Sequence, residues 1–216
     1  MTKAVIFDLD GTLLNTIDDL SNSVNYVLKK HNYPTFSVEE YKYKVGNGMK
    51  KLIERALPKS EKSEEKVEEI LAEFMAYYSE HKTDNTAPYK DIETLLITLK
   101  QKGIKTAVLT NKAHESAKPL ISKYFPELFD VVCGQKQGVP TKPDPTSVFE
   151  VMKELDVSAD ECLYLGDSGV DMQTAENANI FAIGVLWGFR KADELEQNGA
   201  KAIIKQPLEL LSFIKE

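Results

Sequence analysis

Four aspartates, arranged in two pairs, are the residues whose type and spacing could do chemistry. Asp8 and Asp10 follow a short apolar run near the N-terminus, and Asp167 and Asp171 follow a similar run much later in the chain. Carboxylates brought together in a fold repel one another unless a cation lies between them. Because Asp8, Asp10 and Asp167 offer hard oxygen ligands, the pattern favours Mg²⁺ over zinc.

A second set of residues carries hydrogen-bond donors. Thr110 and Asn111 end an apolar run, and Lys142 lies in a loop ahead of a predicted helix. A hydroxyl, an amide and an ammonium are suited to the oxygens of a phosphoryl group. Together the two sets predict a site where a cation and several donors hold a phosphate dianion, with one carboxylate left to attack it.

The elements that must position these residues follow from hydrophobic periodicity. From residue 88 onwards, short apolar runs alternate with helical patterns of about 10–15 residues, which is typical of a parallel sheet with helices on both faces. Residues 15–83 show helical spacing and no convincing strand. We therefore expect an α/β fold with a Rossmann-like parallel sheet and a small all-helical domain inserted after the first strand. The predicted domains are a core, 1–14 and 84–216, and the insertion, 15–83.

The predicted strands explain why the two sets of residues should meet. Parallel strands end at the same edge of a sheet, and open sheets bind their ligands at that edge. Asp8, Thr110 and Asp167 each stand at the end of a predicted strand. The predicted strands are 4–8, 104–110, 130–133, 162–166 and 181–186, followed by a helix, a strand and a helix over 191–215.

Composition and charge exclude several classes of function. The 216 residues include 27 Lys and Arg against 34 Asp and Glu, a net charge of −7, which disfavours nucleic acid and anionic membranes as partners. No apolar run approaches the roughly 20 residues of a membrane span. Asp8 comes too early for a signal peptide. We expect a soluble, cytoplasmic protein with reduced cysteines; its oligomeric state stays open.

Four short motifs resemble those of the haloacid dehalogenase (HAD) superfamily of phosphohydrolases. The resemblance covers the whole chain, because an insertion just after the first motif is what that family calls a C1 helical cap. One Asp-x-Asp turn would be weak evidence, but four motifs in the family's order are specific. In this chain the motifs are Asp8-Leu9-Asp10-Gly11-Thr12, Thr110, Lys142 and Gly166-Asp167-x-x-x-Asp171.

The resemblance implies a mechanism. Asp8 resembles the nucleophile that attacks phosphorus to form an aspartyl-phosphate. Asp10 resembles the general acid that protonates the leaving alkoxide and then the base that activates water. The carboxylates of Asp8 and Asp167 and the backbone carbonyl of Asp10 resemble the protein ligands of Mg²⁺.

The resemblance also implies which residues hold the phosphoryl group. Thr110 and Lys142 would bind the transferring oxygens and offset their charge. Gly11 and Asn111 join them as expected substrate-binding residues. Asp171 is implied to orient either Lys142 or a metal-bound water, and the sequence does not decide which.

The residue at position 10 distinguishes branches of the superfamily. Dehalogenases lack an acid at the position of Asp10, because a halide leaves without a proton. The phosphonate-cleaving branch needs a cap lysine as a Schiff-base nucleophile, and no lysine of 15–83 is singled out for that role. The resemblance therefore implies hydrolysis of phosphate monoesters.

A Gly-x-Gly loop interrupts the helical pattern of the insertion. Gly46, Asn47 and Gly48, with Lys50 beyond them, precede a predicted helix, where backbone N–H groups could approach an anion. The glycines could equally serve an ordinary turn between helices. The loop resembles the cap of phosphoglycolate phosphatases, which implies that these four residues contact the substrate. The segments that carry this resemblance are Gly46–Lys50, Leu52–Pro58, Thr110-Asn111-Lys112 and Val185–Arg190. This chain differs at position 15, where it has Asn15 and the subfamily commonly has an aspartate.

The implied partner is a small phosphorylated metabolite, with 2-phosphoglycolate favoured. The alternatives are β-phosphoglucomutase-like transfer, a pyrophosphatase or nucleotidase, and a non-catalytic phosphate-binding module. The mutase ranks lower because Arg55, the only arginine of the insertion, follows the Gly-x-Gly loop. An idle module ranks lower because Asp8, Asp10, Lys142 and Asp167 are all present.

Overall fold

Strands and helices alternate along the chain beyond residue 88, as the periodicity predicts. The structure is a computed structural model that describes residues 1–215. Among those residues, no helix combines the length and the apolar character needed to cross a membrane. In chain order the strands are β1 (Ala4–Phe7), β2 (Leu14–Asn15), β3 (Ala87–Pro88), β4 (Lys105–Ala113), β5 (Val131–Gln135), β6 (Cys162–Gly166), β7 (Phe181–Val185) and β8 (Ala202–Ile204). The α-helices are α1 (Ile17–Lys30), α2 (Val38–Lys42), α3 (Met49–Ala56), α4 (Glu64–His81), α5 (Ile92–Gln101), α6 (His114–Tyr124), α7 (Thr146–Leu155), α8 (Gly169–Asn177) and α9 (Ala192–Gln197). Pro207–Phe213, predicted as a final helix, forms a 3₁₀ helix.

Six of the strands form one parallel sheet in the order β5-β4-β1-β6-β7-β8. In its centre Phe7 lies opposite Val108 on one side and Leu165 on the other. Asp8 continues this alignment, because its N–H donates to the carbonyl of Leu165 at 2.9 Å. The carboxyl ends of β1, β4 and β6 therefore reach the same edge, and the predicted parallel α/β sheet is confirmed.

The central strand packs on helices at both of its faces. Val5 and Phe7 belong to an apolar cluster with side chains of α5 and α6, whereas Ala4 and Ile6 belong to a second cluster with side chains of α7, α8 and α9. All four side chains are fully buried. A strand covered on both faces must be apolar at every position, which explains the unbroken run at the start of the chain.

The chain divides into two compact units. One comprises Met1–Leu14 and the segment from Pro88 on, and the other comprises Asn15–Ala87. The second unit thus includes four residues beyond the predicted boundary at 83/84. The physical reason is Asp19 of α1, a buried carboxylate that accepts hydrogen bonds from the backbone N–H groups of Asn85 at 2.9 Å and Thr86 at 2.8 Å. These bonds hold the return segment within the helical unit.

Replacing Asp19 by alanine should destabilise the helical unit. The side chains of Asn85 and Thr86 also donate to Asp19, each at 2.8 Å, so the substitution leaves several donors near a buried position without their acceptor. Hydrogen bonds to a charged group contribute about 1.5–3 kcal/mol each and do not add fully, so we expect a loss of about 3 kcal/mol in the free energy of unfolding. Urea unfolding measures it. Asp18→Ala, at the more exposed neighbouring position, is the control and should cost less than about 1 kcal/mol.

The second unit contains α1 to α4, with α1 packed against α2 and α4, and α3 packed against α4. The hydrophobic pattern does not predict α2, which has five residues. Its start is encoded locally instead, by a capping box in which the Ser37 hydroxyl accepts from the N–H of Glu40 and the Glu40 carboxylate accepts from the N–H of Ser37. A helix shorter than two turns is too short for periodicity to reveal it.

Candidate active site

Three aspartates come together at the carboxyl edge of the sheet. Asp8 follows β1, Asp167 follows β6, and Asp171 lies in the first turn of α8. One carboxylate oxygen from each lies within 4.8 Å of the others, and all three residues are buried. The sheet register brings together groups more than 150 residues apart in the chain. This cluster could hold a divalent metal ion, because it offers only hard oxygen ligands.

The electrostatics of the cluster fit a cation. Burial, together with the nearby charge of Asp171, raises the pKa of Asp8 from 3.8 to about 7, although Lys142 acts in the opposite direction. Burial and the charges of Asp171 and Asp8 likewise raise the pKa of Asp167 well above its usual range. Both carboxylates are therefore harder to ionise than a free aspartate, even with Lys142 beside Asp8. A divalent ion would add positive charge that favours the ionised forms, so the donor set and its protonation behaviour agree with a metal site.

The metal-free protein should lose stability as the pH rises from 5 to 7.5. The pKa of Asp8 is about 7 in the folded protein and 3.8 in the unfolded chain. At a pH between these two pKa values, the folded state binds a proton that the unfolded state has lost. The free energy of unfolding then falls with increasing pH, by about 1–3 kcal/mol over this interval. Urea unfolding in the presence of EDTA measures the slope. The matched variant Asp8→Asn should show a flatter profile, and an equal slope in both proteins would contradict the expectation.

Lys142 supplies a buried positive charge beside the cluster. Its Nζ lies 2.9 Å from Oδ1 of Asp8 and donates to Oδ1 of Asp171 at 2.6 Å. Burial alone would lower the pKa of Lys142, but Asp171 and Asp8 outweigh burial and raise it well above its ordinary value. The ammonium therefore stays charged next to the carboxylate predicted to attack phosphorus.

Asp171 contacts Lys142 directly, so of the two roles left open by the sequence the structure displays the first. Its second oxygen, Oδ2, accepts from the N–H of Ser168 at 3.1 Å and from the Ser168 hydroxyl at 2.5 Å. Ser168 is the N-cap of α8, so a capping box fixes the Asp171 side chain. The capping box at the start of α8 therefore positions the carboxylate that binds the ammonium of Lys142.

Thr110 and Asn111 occupy different environments at the end of β4. Thr110 is buried, and its hydroxyl accepts from the N–H of Lys112 at 3.2 Å. The Asn111 side chain binds the backbone of Lys142 twice, accepting from its N–H at 2.8 Å and donating to its carbonyl at 3.3 Å. Asn111, predicted to bind substrate, thus holds the Lys142 loop in place in this structure.

Lys112 is a residue of this edge that the sequence prediction did not include. Its side chain is completely buried, and its Nζ donates to both carboxylate oxygens of Asp10, at 2.9 and 3.0 Å. No local signal in the sequence marks its contact with Asp10, because β4 continues to Ala113, beyond the predicted end at 110, through a bulge that interrupts the alternation of the strand.

Glycines and backbone groups hold Asp167 tightly. Its Oδ2 accepts from the N–H of Phe189 at 2.7 Å, and its Oδ1 accepts from the Thr12 hydroxyl at 3.3 Å. Gly11 has a φ of 91°, and a Cβ there would lie 2.3 Å from Oδ2 of Asp167. Gly188 is equally crowded, with a Cβ position 2.3 Å from the Cβ of Asp167 and 2.4 Å from the carbonyl oxygen of Gly11. Only a residue without a side chain leaves the Asp167 carboxylate in place at these two positions.

Gly188→Ala is therefore expected to impair the site although residue 188 lies outside the four motifs. The added methyl group must displace Asp167 or the Gly11 loop, and displacement of groups around a metal site typically costs 10–100-fold in activity or metal affinity. The measurement is calorimetric titration with a divalent cation such as Mg²⁺, whose half-saturating concentration should rise. Gly138→Ala is the control: its φ of 79° strains the substitution locally, but its methyl group would meet no atom within 4 Å, so cation affinity should not change.

The predicted residues of the Gly-x-Gly loop make contacts within the helical unit. Gly48 is the N-cap of α3 and has a φ of 85°. The Asn47 side chain accepts from a guanidinium N–H of Arg55 at 2.7 Å, and Lys50 pairs with Glu68 at 2.6 Å. Gly46 has a φ of 109°, so both glycines use a backbone conformation that other residues rarely adopt. These contacts account for the loop as a helix–helix turn; its contact with substrate stays a prediction.

Comparisons with known proteins agree with this geometry. The family model described as haloacid dehalogenase-like hydrolase matches residues 5–185. Phosphoglycolate phosphatase from Colwellia psychrerythraea is 33% identical over 219 residues, which cover 99% of this chain and 97% of that protein. Phosphoglycolate phosphatase from Pseudomonas syringae pv. tomato is 33% identical over 94% of this chain and 76% of its own length.

The solved structures include a close match in fold. A protein from Lactobacillus delbrueckii subsp. bulgaricus, provisionally named phosphoglycolate phosphatase, superposes with a TM-score of 0.94 at 34% identity, and the match covers 100% of both chains. The family match spans most of the chain, and the relatives align with it nearly from end to end. The chain therefore belongs to the haloacid dehalogenase-like hydrolase family.

Proposed function

We propose that this protein is a Mg²⁺-dependent phosphatase that hydrolyses a small phosphorylated metabolite, with 2-phosphoglycolate favoured. The observation that carries the proposal is the separate pairing of two aspartates. Asp8 lies against Lys142 at 2.9 Å in the buried cluster, whereas Asp10 lies against Lys112 at 2.9 Å and is partly exposed. Two carboxylates in two environments suit two roles, a nucleophile and a general acid.

The reaction uses each of these residues at a stated bond. A carboxylate oxygen of Asp8 attacks phosphorus, the bond between phosphorus and the ester oxygen breaks, and an aspartyl-phosphate forms. Asp10 gives its proton to the departing alkoxide and then takes a proton from the water that cleaves the intermediate. Thr110 and Lys142 hold the phosphoryl oxygens and offset their negative charge during both steps.

Mg²⁺ is the cation that we assign to the aspartate cluster. The carboxylates of Asp8 and Asp167 and the backbone carbonyl of Asp10 would hold it, as the family resemblance implies. When bound, the ion supplies positive charge to the phosphoryl oxygens and to the ionised carboxylates around it. Asp171 acts on the same site through Lys142. Its carboxylate accepts a hydrogen bond from the Lys142 ammonium at 2.6 Å and balances its charge.

The two compact units receive different roles in this proposal. The unit that contains the sheet is the catalytic core, and Asn15–Ala87 is the cap that reads the alcohol part of the substrate. Gly46, Asn47, Gly48 and Lys50 are its proposed substrate-contacting residues. The favoured substrate, 2-phosphoglycolate, is supported by the names of relatives that are about one-third identical to this chain.

Phosphate release from a panel of esters, with and without Mg²⁺, tests the function. The panel includes 2-phosphoglycolate, hexose phosphates, nucleoside monophosphates and pyrophosphate, with the Asp8→Asn variant as the blank. A Mg²⁺-dependent rate that is highest on 2-phosphoglycolate is the expected result. Preference for pyrophosphate or a nucleotide would replace the substrate assignment, and absence of release from every compound by the folded protein would favour a mutase or a binding module.

A further inference from the structure

A buried ammonium lies beside the carboxylate that serves the leaving group. The side chain of Lys112 is completely buried, and its Nζ donates hydrogen bonds to both carboxylate oxygens of Asp10, at 2.9 and 3.0 Å. Asp10 is the proposed general acid, so the ester oxygen that receives its proton must come within about 3 Å of its carboxylate. Both the alcohol part of the substrate and the ammonium of Lys112 would therefore lie next to the Asp10 carboxylate.

The other cations near the site make contacts of their own. Lys142 lies between Asp8 and Asp171, on the phosphoryl side of the site. Arg190 donates to Glu194 at 3.2 Å, and its charge also acts on Asp167. Lys50 of the Gly-x-Gly loop is exposed and pairs with Glu68. Lys112 pairs directly with the proposed general acid, Asp10, at 2.9 Å.

We propose that Lys112 binds an anionic group, a carboxylate, on the alcohol part of the substrate and so selects esters that carry one. This inference rests on the proposed phosphatase function and adds a specificity-determining residue to it. In 2-phosphoglycolate the carboxylate is attached to the carbon that bears the ester oxygen, which places it within reach of a group next to Asp10. A neutral alcohol of the same size offers no charge to the ammonium.

The neighbouring Lys142 has, with protein carboxylates, the arrangement that the proposal assigns to Lys112. Lys142 is buried and lies against two carboxylates at once, at 2.9 and 2.6 Å. A buried ammonium is already stripped of much of its water, so a charge-assisted hydrogen bond to an arriving carboxylate is stronger there than at the surface. Lys112 with Asp10 and a substrate carboxylate would repeat the arrangement of Lys142 with Asp8 and Asp171.

Equilibrium binding to an Asp10→Asn background separates substrate recognition from the positioning of Asp10. The probes are 3-phosphonopropionate, which mimics 2-phosphoglycolate without a cleavable ester bond, and propylphosphonate, which lacks the carboxylate. Calorimetry compares Asp10→Asn with the double variant Asp10→Asn/Lys112→Met, in the presence of Mg²⁺. We expect the second substitution to weaken 3-phosphonopropionate binding about 30-fold and propylphosphonate binding less than threefold. Equal losses for both probes, or none, would overturn the proposal.

The control variant is Asp10→Asn/Lys118→Met, which removes an exposed lysine of α6 and should change neither affinity. If the Lys112→Met double variant does not fold, kinetics of single variants provide the test. Lys112→Gln should lower the ratio of kcat/KM for 2-phosphoglycolate to that for 2-hydroxyethyl phosphate at least tenfold, and Lys112→Arg should restore it. An unchanged ratio would mean that Lys112 acts only through Asp10. Should wild-type protein hydrolyse neither ester, the phosphatase function fails, while the binding comparison still decides the role of Lys112.

Discussion

Replacing Asp8 by asparagine is expected to reduce phosphate release by about 10⁴-fold or more, because the amide cannot form the aspartyl-phosphate. The fold should survive the change. Asp8 is buried, and its pKa of about 7 means that the ionised carboxylate is held at a cost, which a neutral amide of the same shape avoids. Asp8→Asn should therefore combine near-complete loss of turnover with unchanged or increased thermal stability in the absence of metal.

The measurement is single-turnover phosphate release at saturating 2-phosphoglycolate, together with thermal unfolding in EDTA. Binding of 3-phosphonopropionate should persist, since the residues that hold the phosphoryl group remain. Asp18→Asn, a conservative change in the first turn of α1, serves as the matched control and should keep full activity. Activity of Asp8→Asn within tenfold of the wild type would defeat the assignment of the nucleophile.

Replacing Lys142 by methionine is expected to cost both activity and stability. The substitution leaves the carboxylates of Asp8 and Asp171 buried without their shared cation, and breaking a buried ion pair from one side typically costs about 3–5 kcal/mol. Phosphate release should fall about 10³-fold or more, because the phosphoryl oxygens also lose a positive charge. Urea unfolding at pH 7.5 in EDTA and initial rates at saturating Mg²⁺ measure the two effects.

The double variant Lys142→Met/Asp171→Asn distinguishes charge from packing. Removing the negative charge of Asp171 should recover part of the lost stability but none of the lost activity. Lys136→Met, at an exposed position of the same connection between β5 and α7, should leave both quantities near wild type. If Lys142→Met were as stable as the wild type, the ion pairs of Lys142 with Asp8 and Asp171 would not stabilise the folded protein.

Much of the fold follows from local patterns in the chain. The unbroken apolar run of β1 indicates burial on both faces, and the helical spacing of apolar residues in α1 and α5 indicates burial on one face. The ends of β1 and β6 can also be predicted, because an aspartate needs polar partners or a cation, so an apolar run that stops at an aspartate leaves the apolar core there. Asp8 and Asp167 could thus be placed at one edge of a parallel sheet without coordinates.

The contacts between side chains far apart in the sequence could not be predicted from local patterns. The predicted strand ended at Thr110, whereas pairing of Ala113 with Gln135 of β5 extends β4 past Lys112. Asn111 is polar and close to the second motif, and its use as a backbone clamp depends on where the loop of Lys142 lies. The contact of Asp171 with Lys142 depends likewise on the capping box at Ser168, which fixes the Asp171 side chain.

The sequence by itself determined the class of fold, the edge of the sheet where the candidate site lies and the charged residues there other than Lys112. These depend on apolar period, on strand ends and on residue type, which are local properties of the chain. Only the tertiary structure decided the pairing of charges, Lys142 with Asp8 and Asp171, and Lys112 with Asp10. A salt bridge depends on distances between groups about 30 to 130 positions apart, and those distances exist only after strands and helices have packed.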